Sequence, residues 1–345
     1  MREQKPATKH VSCVPAKDIN QRLATTINDY RLSKSNMKLI YDSDSMKHLY
    51  IIGNGFDIFT GLKTRYADFR YWLENNYPFI FENMQDAYDM DVEWWNDFEV
   101  QLGKLDVKRY ISKFTPPEKS IDEILREIER RKDFEKKYKI PPSIHPYTPC
   151  ADRLKGLFDI LQFCFEKWVE HTQRTITNAQ YINIEKEDSY FINFNYTDVI
   201  ECLYEIPEER VLHIHGRAIK KERLIFGHNT HHLGSYSSDE DKVNFELDRY
   251  HKNPYEYIYK YDELHNILMT VECVHVYGFS FSPVDEDYID WIYNNVPSNS
   301  KWEVSWYSDL DKQRIDSFVL NHWDLKDNIT LIKLEDVLCD NPREI

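Results

Sequence analysis

The apolar run HLYII at residues 48–52 stops on Gly53-Asn54-Gly55, and the chain reaches a third glycine at 61 before it turns amphipathic. An apolar run broken by a glycine turn and followed by helical periodicity is the opening of a strand-turn-helix unit. The constraint is sharp because glycine is scarce. The chain has 9 glycines in 345 residues, where average usage of about 7% gives roughly 24. After the turn, Tyr66, Phe69, Trp72 and Leu73 fall at i, i+3, i+6 and i+7, one face of a helix.

Further short apolar runs follow from residue 188: SYFINF, RVLHIH, RLIFG, CVHVYGF, WEVSWYS and ITLIKL. Most are separated by amphipathic stretches such as 285–295 and 309–322, so the pattern predicts an α/β chain with a mostly parallel sheet and helices on both faces. Gly53, Gly55, Gly61, Gly216, Gly227 and Gly278 then lie just past the carboxyl ends of predicted strands, the edge where open parallel sheets bind ligands. Residues 79–187 read as a helical insertion into a sheet domain made of 47–78 and 188–345. The insertion carries aromatic stripes: Trp94, Trp95, Phe98, Leu102 and Leu105, then Leu154, Leu157, Phe158, Leu161, Phe165 and Trp168. Between them REIERRKDFEKKYKIPPSIHPYTP reads as a solvated helix ending in a proline-rich loop. Residues 1–46 are polar and weakly periodic, an N-terminal extension in which Met37 and Met46 are candidate later starts.

Charge and cysteine usage exclude several function classes. A net charge of −15 disfavours broad nucleic-acid binding, which depends on neutralising phosphates. No apolar stretch approaches the ~20 residues of a membrane span, so a soluble, cytoplasmic protein is expected. Six scattered cysteines (13, 150, 164, 202, 273 and 339) form no C-x-x-C pair, which predicts reduced thiols and no structural zinc. If Trp94, Trp95 and Trp168 stay partly exposed, they predict a homodimer or higher homo-oligomer.

Polar residues gather at the same strand ends. FINFNYTD offers Asn193, Asn195, Thr197 and Asp198, and HIHG offers His213 and His215, two residues apart and so on one face of a strand. GFSFSPVDEDYI adds Ser280, Ser282, Asp285 and Asp287; there helix capping explains the acids as well as ligand binding does. Glu99, in NDFE, reads equally as an exposed acid or as a group reaching the site.

Five blocks in order, LYIIGNGFDIFTGLKTRYADF, WWNDFEVQL, NFNYTDVIE, HIHGR with IFGHN, and YGFSFSPVDEDYI, resemble the successive motifs of the bacteriophage abortive-infection AbiH family. A more distant resemblance, to sirtuin NAD-binding domains, rests on Gly53-x-Gly55 with Gly61, on FNYTD, on HIHG and on GFSFSPVD. It implies a Rossmann-like, sirtuin-like fold with NAD as substrate or ligand and no metal. Carried over, Asn195 would orient the nicotinamide ribose and His215 would be the general base, with Asp198 completing the catalytic group. Gly53, Asn54, Gly55 and Phe56 would line the pyrophosphate turn, and Gly278 and Ser280 would face the adenosine. Asp57, Gly61, Thr64, Tyr66, Gly216 and Asp285 complete the expected cofactor-binding set. The chain departs from the sirtuin pattern in carrying Asp57 where the turn has serine, in one extra residue between Asn195 and Asp198, and in lacking the four zinc cysteines. Three functions follow as expectations: an abortive-infection effector that hydrolyses NAD, a nucleotide-binding sensor without catalysis, or a metal-dependent nuclease using Asp57, Glu99, Asp198 and His215, with the HNTHH segment at 228–232.

Overall fold

A computed structural model describes residues 46–115, 121–138, 149–175, 180–232, 238–254 and 262–339. The extension read at residues 1–46 lies outside them save for Met46, as does the proline-rich loop at 139–148. The strands are β1 (His48–Ile52), β2 (Tyr181–Ile182), β3 (Ser189–Asn193), β4 (Val211–His213), β5 (Cys273–Tyr277), β6 (Lys301–Ser305), β7 (Ile329–Ile332) and β8 (Leu338–Cys339). Six form one sheet in the order β4-β3-β1-β5-β6-β7, with every pairing parallel. Along the chain these strands come third, second, first, fourth, fifth and sixth, the Rossmann order. β2 and β8 form a separate antiparallel pair.

A parallel sheet covered on both faces needs apolar residues at successive positions, and β1 supplies them. Leu49, Ile51 and Ile52 are fully buried. Tyr50 stacks on Phe191 of β3 and on His275 of β5, at centroid distances of 4.9 and 4.4 Å. The amphipathic stretches become helices Glu286–Asn295 and Asp309–Asn321. RLIFG departs from expectation and is no strand. Only Ile225 bonds back toward the sheet edge, donating its amide to the His215 carbonyl at 2.9 Å. Leu224 and Phe226 turn instead into the aromatic core of the insertion, so Gly227 caps no strand.

That core joins Phe69 of helix Tyr66–Asn76 to Trp95, Phe98, Phe165 and Trp168 of the inserted segments. Trp95 and Trp168 are 1% and 4% exposed. The two stripes cover one another, and Trp94, partly buried, packs against them. Among the described residues no helix is long and apolar enough to cross a membrane.

Candidate functional site

The sheet order reverses at β1, whose neighbours are β3 on one side and β5 on the other, and a crevice opens past their carboxyl ends. Its floor is main chain. Gly53 donates its amide to Tyr277 O at 3.0 Å, and Gly55 donates to Gly278 O at 2.8 Å. Gly278 has φ +64°, and a Cβ there would lie 2.0 Å from Phe56 N. Glycine is thus required because two backbones interlock across the switch point. The amides of Gly53, Gly55 and Phe56 are all committed to carbonyls. Helix Asn54–Phe59 carries the chain away with Phe56 buried beneath it and Asp57 at the crevice.

Above this floor is a cavity of about 470 Å³, within the usual range of roughly 300–1,000 Å³ for small-molecule sites. Asn195, His215, Asp57, Asn54, Gly53, Gly55, Thr64, Tyr66, Gly278, Ser280 and Asp285 all line it. The insertion supplies one wall, with Glu99, Phe165 and Trp168. The segment past β6 supplies another, with Trp306, Tyr307 and Arg314. Phe56, Gly61, Gly216 and Asp198, which the resemblance also assigns to the site, do not line it.

Two hydrogen-bonded groups face one another across the crevice. In the first, Asn195 Nδ2 donates to Asp57 Oδ1 at 2.7 Å and to Gly53 O at 3.1 Å, and Thr197 Oγ1 donates to Asp57 Oδ2 at 2.5 Å. Burial pushes the Asp57 carboxyl up to about 7, against the opposing pull of those two donors. The second group centres on His215. Its Nδ1 lies 3.1 Å from the Phe194 carbonyl, so that nitrogen carries the proton and donates. Nε2 lies 3.4 Å from Asp285 Oδ1, an ion-pair distance without hydrogen-bond alignment. Burial alone would raise Asp285, but Lys252 and His215 outweigh it and hold the carboxyl well below its ordinary value. Helix Glu286–Asn295 begins after Asp285, yet the carboxylate caps no amide there and points to Lys252 and His215.

Asp198 belongs to a different cluster, on the other side of the β3 end. Arg217 Nε donates to Asp198 Oδ1 at 3.0 Å, and its Nη2 lies 3.3 Å from Glu201 Oε1. His213 Nε2 is 2.7 Å from that same Glu201 oxygen. β4 ends at His213, so strand alternation does not extend to His215 and the two histidines take separate partners. Asp198, Glu201 and His213 bring ligand atoms within 4.8 Å of one another, but the Arg217 guanidinium already supplies the cation. Of the nuclease set, Asp57, Glu99 and His215 line the cavity and Asp198 does not, and each carboxylate is already engaged: Asp57 by Asn195 and Thr197, Glu99 by Lys252 and Asp198 by Arg217. In HNTHH, His228 donates Nε2 to Leu247 O at 3.0 Å. Burial lowers it to about 4, and His231 stacks on His251 at 3.9 Å.

Residues 49–306 match the bacteriophage abortive infection AbiH family, a span that takes in β1 through β6 and so both sides of the crevice. The chain belongs to the AbiH family. No curated protein matches it. The segments that build this site, the β1 turn, the Glu99 helix, the β3 and β4 ends and the β5 turn, all lie within the matched span. Membership places the protein in abortive infection of phage.

Sequence reasoning missed Lys252, a lone lysine in a loop without periodicity, and the Trp306–Tyr307 wall, which read as the end of a strand. Only their placement in three dimensions reveals them.

Proposed function

We propose that this AbiH protein is an abortive-infection effector that binds NAD⁺ in the switch-point cavity and hydrolyses its nicotinamide–ribose bond. What supports the reading most is that Asn195 and His215, from the ends of neighbouring strands, line one cavity with the glycine turn of β1. The pyridinium departs with the glycosidic electron pair as neutral nicotinamide and needs little acid assistance. A water oxygen bonds to C1′ of the ribose, and its proton passes to a base. Both amide hydrogens of Asn195 are engaged by Asp57 and Gly53, so Asn195 meets a ribose hydroxyl through its carbonyl oxygen. His215 is anchored through Nδ1, leaving Nε2 as the nitrogen that exchanges a proton. Such acid–base help contributes about 100- to 10,000-fold.

Purified full-length protein incubated with NAD⁺ should release nicotinamide, and His215→Ala and Asn195→Ala should each reduce that release at least about 100-fold while circular dichroism shows the fold retained, at a melting temperature lowered by the lost buried hydrogen bonds. Wild type that leaves NAD⁺ intact would refute hydrolysis. The floor amides a pyrophosphate would use are already bonded to carbonyls, so the dinucleotide is held by side chains of the walls, in a hydrolase and in a nucleotide sensor without turnover alike. Calorimetric binding of NAD⁺ without nicotinamide release would favour that sensor.

A further inference from the structure

Lys252 is 3% exposed, and its ammonium bridges two carboxylates, 3.0 Å from Glu99 Oε1 and 3.2 Å from Asp285 Oδ1. Glu99 comes from helix Phe98–Leu102 of the insertion, Lys252 from the turn after helix Asp239–Asp248, and Asp285 from the loop past β5. The Asp285 oxygen that faces Lys252 also faces His215 Nε2. The chain Glu99–Lys252–Asp285–His215 thus runs from the insertion to the end of β4.

We propose that Lys252 and Glu99 are positioning residues for His215: Lys252 shares the Asp285 oxygen with it and Glu99 holds Lys252, so that together they set how firmly the ring holds a proton on Nε2. This rests on the reading of His215 as the group that exchanges a proton in the cavity. The argument is electrostatic. An unshared Asp285 carboxylate would favour the imidazolium and remove the lone pair that a base needs. Lys252 competes for the same oxygen and weakens that hold. Glu99 pulls Lys252 away from Asp285 and partly restores it, while accepting the Gly227 amide at 3.2 Å.

The other groups facing His215 do not supply this control. Tyr196 stacks on the ring and Tyr288 meets it edge-on. Burial raises the phenols of Tyr196 and Tyr66, the latter beside Glu99 and Asp285, well above their ordinary values and keeps them neutral. Asp285, Lys252 and Glu99 carry the charge that varies how the ring is held.

The test follows the His215 ring signals by NMR across pH in the full chain with labelled histidine, a readout that needs no turnover. Lys252→Met should move the pH at which those signals change upward by about one to two units, the scale of one charge acting over several ångströms at an effective dielectric near 20. Glu99→Gln keeps the acceptor for Gly227 and should move it downward. Lys252→Arg should restore the wild-type value, and in an Asp285→Asn background the Lys252→Met shift should shrink to less than about half. Shifts in the same direction, or none, would overturn the proposal. If Lys252→Met does not fold, Glu99→Gln alone and combined with Asp285→Asn decides by the same criterion. Loss of the NAD reading would leave these ring shifts in place, whereas loss of this proposal would leave nicotinamide release intact but unmoved in its pH profile by Glu99→Gln.

Discussion

Asp57 is the residue at which burial and function meet most directly. Its carboxyl is 1% exposed and pushed from 3.8 to about 7 by that burial, so near neutrality it is shared between two protonation states. Between those values the folded protein binds more protons than the unfolded chain. Its stabilising effect is therefore full at low pH and is lost as pH rises toward 7, on the order of 1.4 kcal/mol per unit. Asp57→Asn can keep both contacts, accepting from Asn195 and donating to Thr197. Urea unfolding should then show the variant gaining a few kcal/mol over wild type between about pH 4 and pH 8. An unchanged difference across that range would show that the carboxyl is not buried as described. The sequence marked this position as the place where the turn carries an acid instead of the sirtuin serine. The structure supplies the physical account, a carboxyl satisfied by an amide and a hydroxyl from the next strand.

At the level of elements, the switch point depends on the crossing of the β1 and β5 turns. Gly278→Ala would place a methyl 2.0 Å from Phe56 N at a positive φ. It should destabilise by about 3 kcal/mol or more, read as a lowered midpoint in denaturant or loss of soluble protein. A gentler test uses the cap of helix Asp309–Asn321, where Ser308 Oγ accepts the Asp311 amide at 3.2 Å. Ser308→Ala should cost about 1 kcal/mol. It should also weaken ligand binding, because that helix carries Arg314 to the cavity wall. These elements were legible to different degrees. β1, β3, β5 and β6 announced themselves as apolar runs, and the helices between them by their periodicity, because burial on both faces leaves a local pattern. RLIFG misled because an apolar run packs equally well into a helical core, and nothing local says which partner it will find. Asn195 and His215 were legible as polar interruptions at strand ends. Lys252 was not, since its meaning depends on Glu99 and Asp285, 153 and 33 residues away.

Over the whole molecule, the insertion and the sheet behave as parts of one structure. Phe226, in the long loop that follows β4, packs on Phe98 and Phe165 of the insertion at centroid distances of 5.9 and 4.9 Å. The Glu99–Lys252–Asp285 bridge crosses the same boundary with its charges buried. Far-ultraviolet circular dichroism, which follows the helices and sheet, and the fluorescence of the chain's 8 tryptophans, which include Trp95 and Trp168 of the insertion and Trp302 of β6, should therefore report coincident unfolding transitions. Separate midpoints would mean that the insertion unfolds on its own. The same scale bears on metals. Because each acidic residue of the nuclease set is matched by a cation or donor from the chain itself, NAD⁺ cleavage should continue unchanged in excess EDTA. Loss of activity in chelator, restored by a divalent ion, would count against the proposed chemistry.

The glycine-to-glycine floor has a bearing on how such a pocket changes over generations. Main chain presents the same atoms whatever the neighbouring codons become, and the three glycines leave no room for variation. Diversity is channelled to the walls, above all to the segment past β6, because the insertion's lining residues Phe165 and Trp168 belong to its aromatic core and its Glu99 holds Lys252. A lineage under pressure to accept a different small molecule would rewrite Tyr307 or Arg314 and their neighbours while passing on the turn at residue 53 intact. Exchanging the segment from Trp306 to Arg314 is the corresponding route for anyone wishing to redirect the pocket by hand.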